Sequence, residues 1–531
     1  MHASSFVPYT KTQMEDNYYY VVCLVWALVL SSLALAVTRR KKANNSLPLH
    51  LPPSPWQLPV VGSLHHLVGK LPHRAMRDLA RRHGPVMLLR LGSVPTLVLS
   101  SPDAARDVMK THDVAFATRP LTATMSVLTC GGRDMIFSPY GEYWRQLRKI
   151  AVTELLTAVR VRSFRAIREE EVATMLRGVE SSGPTVEMRA RLSMLVADGT
   201  FRAVMGDRCD SKQRNLFLRE LNRIIGLAAG FNTADLWPSW WLAGRLSNAL
   251  RCAKESHATV FGIIKGIIHE HMETRTEGQR GEGTKDDLLD VLLKIHKDGG
   301  VDMVAVEVVV WRAQDIFAAG SETSATTLEW AMAELVKNPG AMAKATSEVR
   351  RAFEAGGTVD EGRLGELPYM RLVIRETLRL HPPLPLLLPR ECREPCKVVG
   401  FDVPKGTQVI INAWALGRDE GRWGSDAAEE FRPERFEAGA GEEVDFTGTN
   451  FELLPFGAGR RMCPGMAFGL ANVELPLASM LLHFDWEAPD ISDPSELDMS
   501  EAFGVTVKRK ANLLLRPSLR VPLPDSPPGG V

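Results

Sequence analysis

One cysteine, Cys463, sits in the stretch PFGAGRRMCPG, residues 455–465, near the end of a 531-residue chain. Gly457 and Gly459 let the backbone bend and come close to a ligand. Pro464 suits the first turn of a helix, which the pattern GMAFGLANVEL continues. A sulfur just ahead of a helix N-terminus meets unpaired N–H groups and the positive end of the helix dipole, and Arg461 adds charge beside it. That setting describes a stabilised thiolate, which is either a nucleophile or a metal ligand. A lone cysteine is most often a small core residue, but the basic, glycine-rich flanks do not suit a core position. GAGRRM also resembles a dinucleotide loop, without the third glycine or a surrounding βαβ unit.

Other groups with chemistry stand elsewhere. Glu376 and Arg379 in ETLR lie at i,i+3 on one helix face, the spacing of an ordinary surface ion pair. Arg435 follows in FRPERF. AGSET, residues 319–323, falls in the middle of a long apolar helical pattern, where Gly320 and Thr323 are poor helix formers. Thr323 is expected to bond back to a carbonyl one turn earlier, and a locally opened turn there makes room for small molecules. YWRQLRK puts Trp144 and Arg148 at i,i+4 on a third helix. Cys392 and Cys396 have metal-like spacing but no second Cys/His pair at zinc spacing.

Phe456, Gly459, Arg461, Cys463 and Gly465 complete the pattern F-x-x-G-x-R-x-C-x-G. Through it the chain resembles the cytochrome P-450 monooxygenases, over about residues 48–520. The resemblance implies a mainly α fold with small β-sheets (α+β). It makes Cys463 the axial ligand of a haem b, a thiolate that pushes electron density onto iron and favours O–O cleavage. It places Phe456, Gly457, Gly459 and Gly465 in the cofactor-binding loop. Arg461 would pair with a haem propionate, with Trp144, Arg148 and Arg390 of LLLPRE as further partners. It assigns Thr323 and Glu322 of the oxygen-activation motif to hydrogen bonding at O2 and to proton relay. Glu376, Arg379 and Arg435 become a buried structural triad. Arg145, Lys149 and Arg460 form a basic face for an acidic flavoprotein, NADPH–cytochrome P-450 reductase.

Elements that could position these groups are legible. RSFRAIREEEVATMLRGV and DDLLDVLLKIHKD carry apolar residues at helical spacing. PVMLLRLGSVPTLVLSS reads as a hairpin with a Gly-Ser turn, and CKVVGFDVPKGTQVIIN carries further strand signal. YYYVVCLVWALVLSSLALAV, from Tyr18, has no charge and the length of a membrane span, with Arg39, Arg40, Lys41 and Lys42 next. The expected organisation is a lumenal segment 1–17 and a transmembrane anchor 18–38. A basic stop-transfer and proline-rich hinge 39–62, a catalytic domain 63–520 and a disordered tail 521–531 follow. The rival for the apolar run is a cleaved signal peptide, which is usually shorter and has its basic cluster on the other side. TRTEGQRGEGTKDD, residues 274–287, reads as a mobile surface loop.

The bulk composition is that of a folded protein, with 45% hydrophobic and 24% charged residues. A net charge of +1 argues against nucleic acid as partner. Seven cysteines without a pairing pattern fit a reducing compartment. The likeness is to plant microsomal enzymes of specialised metabolism, anchored in the endoplasmic reticulum membrane with the catalytic domain in the cytosol. It implies O2 as co-substrate and a hydrophobic substrate, with sesqui- or diterpenoids favoured over indolic or phenolic compounds. The substrate pocket is expected from residues 121–135, Ala318, Ala319, Leu384 to Leu388, and Phe503 to Val505. A reductase-independent haem-thiolate isomerase or dehydratase, and a non-catalytic haem sensor, are the rival classes. Neither has a use for Glu322 and Thr323.

Overall fold

The computed structural model describes residues 49–206, 211–228, 230–276, 287–297, 306–437, 444–489 and 491–524. The expected anchor 18–38 and most of the loop 274–287 lie outside them. Five helices frame the site: α1 (Glu142–Ile150), α2 (Met188–Met205), α3 (Val306–Lys337), α4 (Pro368–Leu380) and α5 (Met466–His483).

Helix α3 packs against both α2 and α5. Its second half is apolar almost all round, the pattern of a core helix. Leu328, Trp330, Met332 and Leu335 have no exposed area, each contributing about 1.5–3 kcal/mol by burial. It ends at Lys337, and Pro339 opens the next helix at a position where its missing N–H costs nothing. The expected open turn at Ala319–Thr323 is not found: α3 is continuous there. The expected back-bond is found: the Thr323 hydroxyl donates to Ala319 O (2.6 Å), and those of Ser321 and Thr327 donate likewise to Phe317 O (2.8 Å) and Thr323 O (2.9 Å). Back-bonding absorbs the poor helix propensity that suggested a break.

Helix α5 starts at Met466, later than Pro464, and runs through Pro476 to His483. The pattern quoted for this helix, GMAFGLANVEL, spans 465–475, and the proline that follows it removes a backbone hydrogen bond. Leu475, Leu477 and Ala478 are at most 1% exposed, and that packing holds the helix through the proline. Among the described residues α5 is the one helix long and apolar enough to cross a membrane, yet it is mostly buried within the protein.

The main sheet takes its order from β1 (Val86–Leu91), β2 (Val94–Leu99), β3 (Arg390–Glu391) and β6 (Gln408–Ile411), arranged β1-β2-β6-β3. β1 and β2 form the expected hairpin, with Leu91 opposite Val94 across Gly92 and Ser93. Gly92 has φ +63°, which the turn requires. β6 joins β2 in parallel, and Arg390 pairs with Val409 of β6. The sheet thus delivers Arg390 to the interior. Between β3 and β6 a separate hairpin joins β4 (Cys396–Val398) to β5 (Phe401–Val403).

Both flanks of the domain are held to it. At residues 50–53 the N–H of Leu88 donates to Pro53 O (2.8 Å) and that of His50 to Asp402 Oδ2 (2.8 Å). At the other end, Val521 is buried and its carbonyl lies 3.0 Å from His483 Nδ1.

Candidate active site

Between α3 and the loop ahead of α5 lies a cavity of about 240 Å³. Ala319, Gly320, Thr323 and Thr327 form one wall, and Phe456, Gly457, Arg461, Cys463 and Gly465 another. The loop at Cys463 is shaped by residues that only glycine can replace. Gly459 has φ +66°, and a Cβ there would come within 2.3 Å of Met109 O. Gly457 also has positive φ. The Cys463 N–H closes the loop onto Phe456 O (2.9 Å). Phe456 is held edge-on to Phe446, 5.4 Å between ring centroids. Across the cavity Gly320 lets α3 approach α5, since a Cβ would lie 3.2 Å from the Phe468 ring.

The Cys463 sulfur opens onto this cavity but lies deep in the protein. Burial pushes its thiol pKa up, against the Gly465 N–H and the Arg148 guanidinium, which pull it down. The helix end and Arg461 are expected together to favour the ionised sulfur; burial works against them. A bound metal ion would supply the missing drive, because a ligating thiol gives up its proton.

Four guanidiniums crowd one end of the cavity: Arg119, Arg148, Arg390 and Arg461. Arg390 is bound to Asp113 Oδ1 (3.2 Å) and to Ala458 O (2.7 Å). Arg461 is placed as a strut. It donates to Ala117 O (2.6 Å), Ile136 O (3.2 Å) and Ser138 O (2.5 Å), and lies 4.3 Å over the Trp144 ring. Trp144 Nε1 donates to Met135 O (3.2 Å). Arg461 therefore spends most of its N–H groups on carbonyls, and it still lines the cavity beside Arg119, Arg148 and Arg390. Arg119 bonds to Leu388 O (2.8 Å), while its Nε is buried without a partner. Burial, then the charges of Arg461 and Arg390, hold Arg119 well below the usual guanidinium range. Burial likewise lowers Arg148, and Cys463 draws it back up.

Nothing in the spacing around Arg119 marks it, because its partners are far off in the chain. Asp134, equally unmarked, is pushed up to about 7 by burial, against the Phe137 N–H and the charges of Arg461 and Arg119. A carboxyl whose folded-state pKa exceeds its unfolded one costs stability progressively as pH rises from about 4 to the folded value. The melting temperature of the wild type should therefore fall more between about pH 5 and pH 8 than that of Asp134→Asn. Equal falls would show that Asp134 is ionised throughout.

The triad residues meet at one point. Glu376 accepts from Arg379 Nε (2.7 Å) and Nη2 (2.8 Å) and from Arg435 Nε (2.9 Å). Thr323 and Glu322 part company. Thr323 is on the cavity wall, whereas Glu322 sits behind it, bound to Thr506 Oγ1 (2.6 Å) and Lys508 Nζ (2.6 Å). Of the expected pocket residues, Ala319, Leu384, Leu387, Leu388 and Met135 line the cavity. Ala318 instead packs against a core cluster, and Phe503 is exposed on the surface beside Phe231 (5.5 Å). The lining is not wholly uncharged, since Asp315 contributes, its Oδ2 accepting from the Met135 N–H (2.8 Å).

The sequence model of the cytochrome P450 family matches residues 52–515. This chain belongs to the cytochrome P450 family. The P450 is 47% identical over 512 residues to zealexin A1 synthase of Zea mays, covering 95% of this chain and 98% of that protein. It is 46% identical to desmethyl-deoxy-podophyllotoxin synthase of Sinopodophyllum hexandrum (93% and 96% covered). It is 45% identical to dolabradiene monooxygenase of Zea mays (96% and 99% covered). A zebrafish cytochrome P450 with progesterone has a similar structure, with TM-score 0.70, 25% identity, and coverage of 84% of this chain and 99% of that one. The P450 is a monooxygenase.

The family implies a haem-iron cofactor, and the residues present fit one. The excess of guanidinium over carboxylate, with the orphaned Arg119 Nε, suits an acidic group at that end of the cavity. Cys463 offers a soft sulfur ligand on the wall. Arg119, Arg148 and Arg390 would hold the propionates and Cys463 the iron.

Proposed function

We propose that this P450 is anchored in the endoplasmic reticulum membrane, binds haem b with Cys463 as axial ligand, and draws electrons from NADPH–cytochrome P-450 reductase. Its reaction is hydroxylation or epoxidation of a sesqui- or diterpenoid. The observation that carries this reading is the convergence of Cys463 and Thr323 on one cavity with aliphatic walls at Leu384, Leu387, Leu388 and Ile316. The haem, when bound, supplies activation of O2 and transfer of one oxygen atom to the substrate. The aliphatic side chains bind a hydrocarbon by burial. Thr323 presents a hydroxyl at the wall, and Glu322 behind it holds a carboxylate between Lys508 and the helix. Together they can pass protons from the protein surface to the cavity. The diene in the name of a 45%-identical monooxygenase supports the substrate class.

Incubating microsomes carrying the protein and its reductase with NADPH and a panel of diene hydrocarbons, lignans and indoles tests the reading. NADPH-dependent oxygenation of a diene is the expected result. Turnover of the lignan or indole alone would transfer the substrate class, as the podophyllotoxin-forming relative allows. Turnover without NADPH would make the protein an isomerase.

Thr323→Ala should lower product formed per NADPH consumed severalfold and raise hydrogen peroxide release by the difference. Unchanged coupling would remove Thr323 from proton delivery. Deleting residues 1–42 should move the protein into the soluble fraction at least in part. Full retention on membranes would place the attachment elsewhere.

A further inference from the structure

We propose that Cys392 and Cys396 form a modification site at which a small-molecule disulfide, such as glutathione disulfide, installs an intramolecular disulfide. The inference is independent of the haem reading, for neither sulfur lines the cavity.

The two sulfurs stand 3.9 Å apart. Paired backbone holds both residues in place. The N–H of Cys392 donates to Thr407 O (2.9 Å) and its carbonyl accepts from Gly406 (2.7 Å), while Cys396 pairs with Val403 across the β4–β5 hairpin. The carbonyls of Glu394 (3.0 Å) and Val403 (3.7 Å) flank the Cys392 sulfur. Side-chain rotation at two fixed positions is then enough to bring the sulfurs to bonding distance, about 2 Å.

The pair is also chemically divided. Cys392 is fully buried and Cys396 partly exposed. The exposed sulfur is the one a bulky disulfide can reach, and the buried one, 3.9 Å away, is placed to attack it next.

The chemistry balances. Cys396 sulfur attacks glutathione disulfide, the S–S bond of the oxidant breaks, and one glutathione leaves with the Cys396 proton. Cys392 sulfur then attacks the Cys396 sulfur and expels the second glutathione, which takes the Cys392 proton. Two thiols lose two electrons and two protons, and one disulfide becomes two molecules of glutathione.

Thiol mapping of the folded, full-length holoprotein tests this. The protein is treated with glutathione disulfide, unfolded, alkylated with iodoacetamide and digested for mass spectrometry. The peptide spanning both cysteines should lose alkylation at both positions together, become lighter by two hydrogens, and recover on reduction. Cys392→Ser should leave glutathione on Cys396, since nothing remains to displace it. If that variant fails to fold, Cys396→Ser serves: its Cys392 should stay unmodified until unfolding. Full alkylation of both cysteines in the treated wild type, glutathione persisting on wild-type Cys396, or glutathione on Cys392 of folded Cys396→Ser would each overturn the proposal.

Discussion

Glu376→Ala is expected to destabilise the fold by about 3–5 kcal/mol, the cost of breaking a buried ion pair from one side. Glu376 has no exposed area, and Arg379 is 1% exposed. The carboxylate takes four hydrogen bonds, from Arg379 twice, from Arg435 and from the Arg432 N–H (2.8 Å). Arg379 spends its remaining donors on the carbonyls of Gly417 (2.5 Å), Ala428 (2.7 Å) and Glu430 (2.9 Å). The triad therefore fastens α4 to two distant stretches of chain. Truncating the carboxylate leaves two guanidiniums inside without a counter-charge. Leu378, beside Arg379, lines the cavity, so displacement of α4 reaches the site directly. Chemical unfolding of the variant measures the loss. A change below about 1 kcal/mol, as at exposed pairs, would show that the triad does not hold the core.

Cys463→Ala should abolish product formation while leaving the fold in place. The side chain opens on the cavity, and its backbone N–H bond to Phe456 survives the substitution. What disappears is the one thiol among the described residues that line the cavity. A haem held solely by the arginine end would lack its axial thiolate. Melting of the haem-free variant should stay within about 1 kcal/mol of haem-free wild type, in line with substitutions away from the core. Product formation by the variant at a rate comparable to wild type would remove Cys463 from the chemistry.

Much of this architecture is visible in the chain because local rules and tertiary packing agree. The β1–β2 hairpin announces itself through apolar runs around Gly92-Ser93, and the Cys463 loop through glycines that let the backbone bend, which Gly457 and Gly459 do at positive φ. Where packing overrides local preference, the reading falters. The helix read from GMAFGLANVEL runs on through Pro476, held by its buried neighbours. Gly320 and Thr323 look like a loosened turn, yet α3 stays intact there and Thr323 satisfies its hydroxyl along it. Arg119 and Asp134 carry no local signal at all, because each acquires its meaning from groups that only the fold brings near. Arg461 was legible as a residue of the loop, but its carbonyl partners at Ala117, Ile136 and Ser138 were not.

The most direct measurement is the absorption spectrum of the reduced, carbon monoxide-bound protein, recorded for wild type and for Cys463→His. A thiolate from Cys463 predicts the red-shifted Soret band in the wild type and its replacement by the shorter-wavelength band of nitrogen ligation in the variant. A wild-type protein without that red-shifted band, or a variant that keeps it, would contradict the assignment of Cys463 to the iron.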